Sequence, residues 1–335
     1  MRIGILNKIV VPDIEKRAVE EGVVIDCLGA KCEDDLLNTD MSIYDSVIVS
    51  YKFKVSSRLI DRLVNCRSII CACVGYDNVD FNYAAQKGIR VFNVPDYGTN
   101  DVADHTVALF LSYARRIVAY DKNFKEGKVD FWNPKAVRPF HRITNLTWGI
   151  IGMGRIGTAV TSRVKAFGMS VCFYDPYISN GYDKVYQVER CFSLMDLFEK
   201  SDVISIHAPL TEETYHLVNS DCLQKATKHP MVINTARGKI VDNATICRAL
   251  REGIIESFLA DVLEEEPPNQ DDELRKLSYD EDFTHRIILT PHAASYAEES
   301  QYEMRYKSAE KAVLSFNSSQ YHEDCVNYYG GVKWR

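Results

Sequence analysis

Three residue types at three separate places could do chemistry together. Arg237 in INTARGKIVD, Glu266 in ADVLEEEPP and His292 in ILTPHAAS each follow a short apolar run of the kind that forms a buried strand. An arginine at a strand end can fork onto a carboxylate or a carbonyl oxygen with two parallel hydrogen bonds. A histidine can carry a transferable proton near neutral pH, and a carboxylate beside it favours the imidazolium and should raise its pKa. Taken singly, each has an ordinary reading: a loop arginine in a surface ion pair, carboxylates in a solvated loop, a structural histidine. Together they supply a charge clamp, a partner carboxylate and a proton donor, which are the requirements of carbonyl reduction by hydride.

Upstream, WGIIGMGRIG ends an apolar run in three glycines, Gly152, Gly154 and Gly157. In a dinucleotide site the first permits a tight turn, the second lets backbone approach a pyrophosphate, and the third lets helix and strand pack closely. The helix that follows would offer its N-terminal N–H groups to the phosphates. The spacing alone is a weak signal. Asp175, 18 residues beyond Gly157 at the end of the run SVCFYD, strengthens it. A carboxylate there can accept both hydroxyl hydrogens of an adenosine ribose. It would repel a 2′-phosphate, and its neighbours Pro176 and Tyr177 bring no arginine, so NAD is expected rather than NADP. Asn145, just before the first strand of this unit, is expected to take a left-handed turn conformation, which asparagine tolerates.

The elements that must position these groups alternate strand and helix. Strand-like runs cover 3–6, 23–28, 46–50, 68–73 and 90–94, with helical patterns at 12–21, 56–64 and 81–87. One long amphipathic pattern runs over 100–126, followed by a polar connection, 128–145. A second alternation has strands at 147–151, 170–174, 203–207, 231–235, 256–260 and 287–290. Its helices cover 155–167, 194–200, 220–225 and 243–252, and a last helix spans 297–315. Such alternation implies α/β architecture with parallel sheets covered by helices.

Bulk properties agree. A chain of 335 residues usually exceeds one core, so two domains are expected. The net charge of -7, without a block of like charge, gives a nucleic-acid surface little support. No apolar run is long enough for a membrane span, and MRIGILNKIVVPD reads as a first strand rather than a signal peptide. The ten cysteines show no CxxC pair and no metal-ligand spacing, which suits buried thiols in a reducing cytoplasm.

The order GMGRIG, YDP, HAPLTEET, NTARG, DVLEEEPP and TPHAA, with VGYDNVD and NVPDYGTNDVADHT before it, resembles the D-isomer-specific 2-hydroxyacid dehydrogenase family over nearly the whole chain. PHAASYAEES and the following EMR most resemble its C-terminal-binding-protein branch. The resemblance implies an NAD-dependent oxidoreductase that reduces a small 2-oxo acid to the 2-hydroxy acid. It implies two Rossmann-like, doubly wound parallel-sheet domains. The substrate domain is discontinuous and flavodoxin-like, 1–99 plus 291–335, and the NAD-binding domain is 100–290. Arg237 would bind and polarise the 2-oxo acid, and His292 would protonate its oxygen. Glu266 would keep His292 protonated. Backbone N–H groups near Val74 and Gly75 would hold the substrate carboxylate. The cofactor would meet Gly152, Met153, Gly154, Arg155, Ile156, Gly157 and Asp175, then Thr106, His207, Ala208, Pro209, Thr214, Thr235, Ala236 and His292. Asp261 would orient its carboxamide. A homodimer joined through 100–145 is implied too.

Two positions bear on the substrate. Ser295 stands where the C-terminal-binding-protein branch has a bulky tryptophan, so the pocket is expected to be roomier or more polar. Lys52, in SYKFKVS, falls on a loop that reaches the active site in relatives, and could pair with a distal anionic group. Two alternatives stay open: an NAD(H)-gated corepressor-like binding module, and a phosphite-type dehydrogenase. A formate enzyme is disfavoured by Glu266 before Pro267.

Overall fold

The computed structural model describes residues 1–7, 11–127, 130–137, 141–318 and 320–327. Parts of the connection expected at 128–145 therefore lie outside the described residues. The chain divides into two units: Met1–Gly98 with the chain from Tyr296 onward, and Thr99–Ser295.

In the first unit, β1 (Arg2–Asn7), β2 (Val24–Ala30), β3 (Ser46–Val49), β4 (Ser68–Cys71) and β5 (Arg90–Asn93) form a wholly parallel sheet in the order β2-β1-β3-β4-β5. This is the flavodoxin-like strand order. The central strands are buried on both faces, as a parallel sheet requires. Val47, Ile69 and Val91 join one core, while Ile48, Ile70 and Phe92, one residue on, join the other. The helix Glu298–Asn317 covers the second face through Ala309 and Ala312, and Ser315 Oγ donates to Ser68 Oγ at 2.8 Å. Arg305 forks onto both oxygens of buried Glu15 at 2.7 Å, which pins this helix to the helix Asp13–Arg17.

The second unit holds β6 (Thr147–Ile151), β7 (Ser170–Tyr174), β8 (Glu189–Arg190), β9 (Val203–Ile206), β10 (Met231–Asn234), β11 (Ser257–Ala260) and β12 (Ile287–Leu289). They run parallel in the order β12-β11-β10-β9-β6-β7-β8. Chain direction across the sheet reverses between β6 and β9, the switch point where ligands of such sheets bind. The helices Thr99–Ala114 and Arg155–Ala166 cover the face bearing Ile150, Phe173, Val203 and Ile233.

Several expectations need correction. The pattern over 100–126 is two helices, Thr99–Ala114 and Ile117–Lys125. Arg116 breaks it with φ 58°, because its buried guanidinium lies over the Tyr113 ring and reaches Glu256 at 3.4 Å. Asn145 ends a 3-10 turn, Ile143–Asn145, and takes no left-handed angle. The domain boundary lies after Ser295, not at 290, because the segment carrying His292 is hydrogen-bonded to Asp261 at the end of β11. The strand β8 and the helices Tyr182–Tyr186 and Glu273–Tyr279 are too short to show a sequence period.

Two close approaches set the loops. A Cβ on Gly157 would sit 2.1 Å from the Gly152 carbonyl oxygen, and one on Gly238 would sit 1.9 Å from the carbonyl carbon of Leu263. Only glycine lets these backbones meet. Beneath them, Trp148 Nε1 donates to Ser205 Oγ at 2.8 Å, and Ser205 Oγ pairs with His207 Nε2 at 2.9 Å. Burial pushes the His207 imidazole down to about 3.

Two measurements follow. Gly238→Ala forces rigid backbone apart, and overpacking of this kind costs about 1–3 kcal/mol or more. Its melting temperature should drop by several degrees in calorimetry. Gly154→Ala, whose Cβ would meet nothing within 4 Å, should melt like the parent. Equal melting of all three proteins would contradict the packing. For His207, the unfolded chain gains a proton near its ordinary pKa that the folded chain refuses until about 3. Unfolding free energy should therefore fall as pH drops from about 6.5 toward 3. In urea titrations at stepped pH, His207→Asn should show a shallower fall; an unchanged slope would contradict it.

Candidate active site

Three loops at the carboxyl ends of β10, β11 and β12 build the constellation. After β10, the buried amide of Asn234 closes a turn: its Nδ2 donates to Arg237 O at 2.9 Å and its Oδ1 accepts from Ala236 N at 3.0 Å. That turn aims Arg237, whose Nη1 donates to Ala236 O at 2.9 Å. The next residue, Gly238, packs against Leu263 and Glu264, so the arginine loop lies against the carboxylate loop. There the Glu266 carboxylate accepts from Leu263 N at 3.1 Å through Oε1 and meets His292 Nδ1 at 2.6 Å through Oε2.

Glu266 feels both of its neighbours. Burial pushes the Glu266 carboxyl up, but the hydrogen bond and charge of His292, the Leu263 N–H and the positive charge of Arg237 outweigh it. The net effect holds Glu266 below the usual carboxylate range, so it stays charged. Because Nδ1 of His292 is engaged by Glu266, proton exchange with a ligand would have to use Nε2. His292 has φ 55°, a left-handed angle that costs a non-glycine residue free energy. Its N–H donates to Asp261 O at 2.8 Å and to Thr290 O at 3.0 Å.

Asp261 differs from expectation. Its residue is 2% exposed, and its carboxylate is turned into the protein. Oδ1 accepts from Thr290 Oγ1 at 2.5 Å and Ala293 N at 2.9 Å, and Oδ2 accepts from Ala294 N at 2.8 Å. Thr106 also differs: it is fully buried, its hydroxyl donating to Val102 O and paired with Thr235 Oγ1 at 2.8 Å. Both side chains are buried as the protein stands.

The glycine loop sits at the switch point. Gly152 has φ 90°, and a Cβ there would sit 2.8 Å from Ala208 N, so this loop and the one after β9 abut. Gly154 is the opposite case. It caps the helix Arg155–Ala166 without a side-chain cap, and nothing of the protein fills the space where its Cβ would lie. Its smallness serves no protein contact, which fits the close approach of a dinucleotide's phosphates. Met153 N donates to Asp175 Oδ2 at 2.8 Å, and Asp175 Oδ1 accepts from Tyr177 N at 2.9 Å and Ile178 N at 3.2 Å. Of roughly four acceptor positions on a carboxylate, these leave one on Oδ2. The Asp175 carboxylate is thus already engaged by three backbone N–H groups. An arginine is also near after all. Arg190 arrives from β8 and donates through Nη2 to the carbonyls of Asp175 at 3.0 Å and Ile178 at 2.7 Å.

The remaining expected residues fall in two groups. In the second unit, Arg155, Ile156, Ala208, Pro209, Thr214, Ala236 and Ser295 are all at least partly accessible, and Thr214 Oγ1 donates to Pro209 O at 2.6 Å, which shapes the loop after β9. In the first unit, Lys52 is exposed on the loop after β3, with Nζ 5.4 Å from the centre of the Tyr51 ring. Val74 and Gly75 follow β4. Their carbonyls accept from Asn93 Nδ2 at 2.6 Å and Cys73 Sγ at 2.9 Å, which fixes the peptide planes of that loop. Asn234, Thr290 and His105 are not among the expected site residues. A lone polar residue closing the apolar run MVIN was the available signal for Asn234.

The chain is similar to characterised proteins over most of its length. It is 36% identical over 284 residues to a glyoxylate reductase of Korarchaeum cryptofilum, covering 84% of this chain and 82% of that one. It is 33% identical over 313 residues to a D-3-phosphoglycerate dehydrogenase of Archaeoglobus fulgidus, covering 92% of this chain but spanning only 57% of that longer protein. A D-lactate dehydrogenase from Aquifex aeolicus, complexed with NAD and lactic acid, matches with a TM-score of 0.84 at 26% identity, over 97% and 99% of the two chains. An NADPH-dependent glyoxylate/hydroxypyruvate reductase from Sinorhizobium meliloti, in complex with NADP and malonate, matches at 0.81 and 27%, over 95% and 94%. Residues 107–294 match the NAD binding domain of one family, and with these likenesses the chain belongs to the D-isomer specific 2-hydroxyacid dehydrogenases, a family of oxidoreductases.

Proposed function

We propose that this protein reduces a small 2-oxo acid to the 2-hydroxy acid with NADH, using Arg237, Glu266 and His292. The observation that carries the reading is the 2.6 Å pairing of His292 Nδ1 with Glu266 Oε2 beside the charge of Arg237. NADH, when bound, supplies the hydride that adds to the carbonyl carbon. The backbone of 152–157 would hold its phosphates, and Oδ2 of Asp175 one ribose hydroxyl. Negative charge then grows on the carbonyl oxygen. The Arg237 guanidinium stabilises it, and His292 passes the proton from Nε2 while Glu266 balances the imidazolium.

The charge of Asp175 supports a preference for NADH over NADPH. Exposed Phe124, Phe131 and Trp132, packed edge to face, support a homodimer contact within 100–145. Ten free thiols support a reducing cytoplasm, and among the described residues no helix is long and apolar enough to cross a membrane.

The test is NADH consumption with glyoxylate, hydroxypyruvate, phenylpyruvate and pyruvate. Preorganised donors of this kind are worth about 3–4 kcal/mol. Arg237→Ala should therefore lower kcat by about 10²–10³-fold and raise KM. His292→Ala should lower kcat by a similar factor with little change in NADH affinity. Wild-type turnover by His292→Ala, or no turnover by the parent on any acid despite tight NADH binding, would contradict the reading.

Lys52 is read as the partner of a distal anionic group on longer substrates. Lys52→Ala should raise KM for a dianionic 2-oxo acid far more than for pyruvate; equal effects would remove that role.

A further inference from the structure

Behind His292 a second imidazole closes a chain of hydrogen bonds. Thr290 Oγ1 lies 2.5 Å from Asp261 Oδ1 and 3.0 Å from His105 Nε2, and His105 Nε2 lies 3.6 Å from the same carboxylate oxygen. His105 sits on the helix Thr99–Ala114, its side chain 23% exposed.

The proton count gives this chain a direction. Both oxygens of Asp261 accept backbone N–H bonds, from Ala293 and Ala294, so the carboxylate is an acceptor and Thr290 spends its single hydroxyl proton on it. Thr290 Oγ1 must then accept from His105, which therefore carries a proton on Nε2. The order runs His105 Nε2–H to Thr290 Oγ1–H to Asp261.

Asp261 and Thr290 hold the backbone on both sides of His292. Asp261 takes the N–H groups of the two residues after it, and the carbonyls of Asp261 and Thr290 take its own N–H. These bonds hold the backbone of His292 at its left-handed angle. Without His105 the Thr290 hydroxyl is no longer held toward Asp261, and a buried carboxylate that loses a donor must rearrange or take up water, so the outermost donor matters to the whole clamp. We infer that His105 is a positioning residue for the acid–base histidine, acting through Thr290 and Asp261 to hold His292 in register with Glu266. This rests on the function proposed above for His292.

The test uses the full chain and four variants. His105→Leu and Thr290→Val break the relay; His105→Gln keeps a neutral donor and Thr290→Ser keeps the hydroxyl. Displacement of a catalytic group by about an ångström costs as much as about 10²-fold in rate. His105→Leu and Thr290→Val should each lower kcat about ten- to hundredfold. The NADH dissociation constant, read by fluorescence titration, should stay within about twofold of the parent's. The Gln and Ser variants should recover most of the rate. Because the residues act in series, the Leu/Val double variant should be no slower than the slower single one. A folded His105→Leu protein with parental kcat would overturn the inference. So would Leu and Gln variants equally slow, or losses that multiply in the double variant.

A second readout does not need turnover. In protein labelled with ¹⁵N-histidine, the His292 Nδ1 proton shared with Glu266 should give a downfield, exchange-protected resonance. Thr290→Val and His105→Leu should broaden or lose it, and the conservative variants should keep it. If the parent reduces no 2-oxo acid yet the resonance responds in this way, the proposed reaction fails and the positioning role stands. If the parent is active and the resonance is the same in all variants, the positioning role fails and the reaction stands.

Discussion

A hydrogen bond of 2.6 Å between Nδ1 of His292 and Oε2 of Glu266 is the interaction on which the rest of this structure depends. It commits Nδ1 of the ring to the carboxylate, so any proton exchange with a ligand falls to Nε2. It also brings a carboxylate and an imidazole, 26 residues apart in sequence, to one point beyond the strand ends of one sheet. Charge alone would not hold it there. Both partners are partly exposed, with side chains at 20% and 30%, and a mobile ion pair of that exposure is worth little. Its geometry is imposed by backbone.

That imposition comes from three directions. The Leu263 N–H fixes the far oxygen of Glu266. The bare Gly238 lets the arginine loop press against Leu263 and Glu264, so Arg237 adds its field to the same carboxylate. Asp261 binds the chain on the far side of His292 and holds it at an angle that a histidine does not choose for itself. Each device belongs to a different strand end, and the parallel sheet supplies the common edge. The glycine loop exploits that edge four strands along, where β6 and β9 part.

Much of this was legible in the residues. The strand runs were visible because strands buried on both faces must be apolar throughout, and the Gly152–Gly157 spacing marked the switch point. The placing of Arg237, Glu266 and His292 beyond strand ends was legible because each follows such a run. What escaped was short or tertiary. Arg190 lies beside Asp175 only because a two-residue strand brings it there. The inward turn of Asp261 depends on Thr290, Ala293 and Ala294, and no local pattern announces a carboxylate that serves backbone rather than ligand. Arg116 broke a helix whose periodicity ran on undisturbed, because a buried contact with Glu256 outweighed local propensity. Thr106, which the resemblance implies as a cofactor contact, is buried and paired with Thr235.

The central claim is that a guanidinium and an imidazole, held by separate strand ends, act on one carbonyl oxygen. A crystal structure of the complex with NADH and oxamate, a 2-oxo acid analogue that is not reduced, tests it most directly. The account requires Arg237 and Nε2 of His292 both within hydrogen-bonding distance of the oxamate oxygen, with the nicotinamide ring against its carbon. Oxamate bound with either side chain directed elsewhere would contradict it.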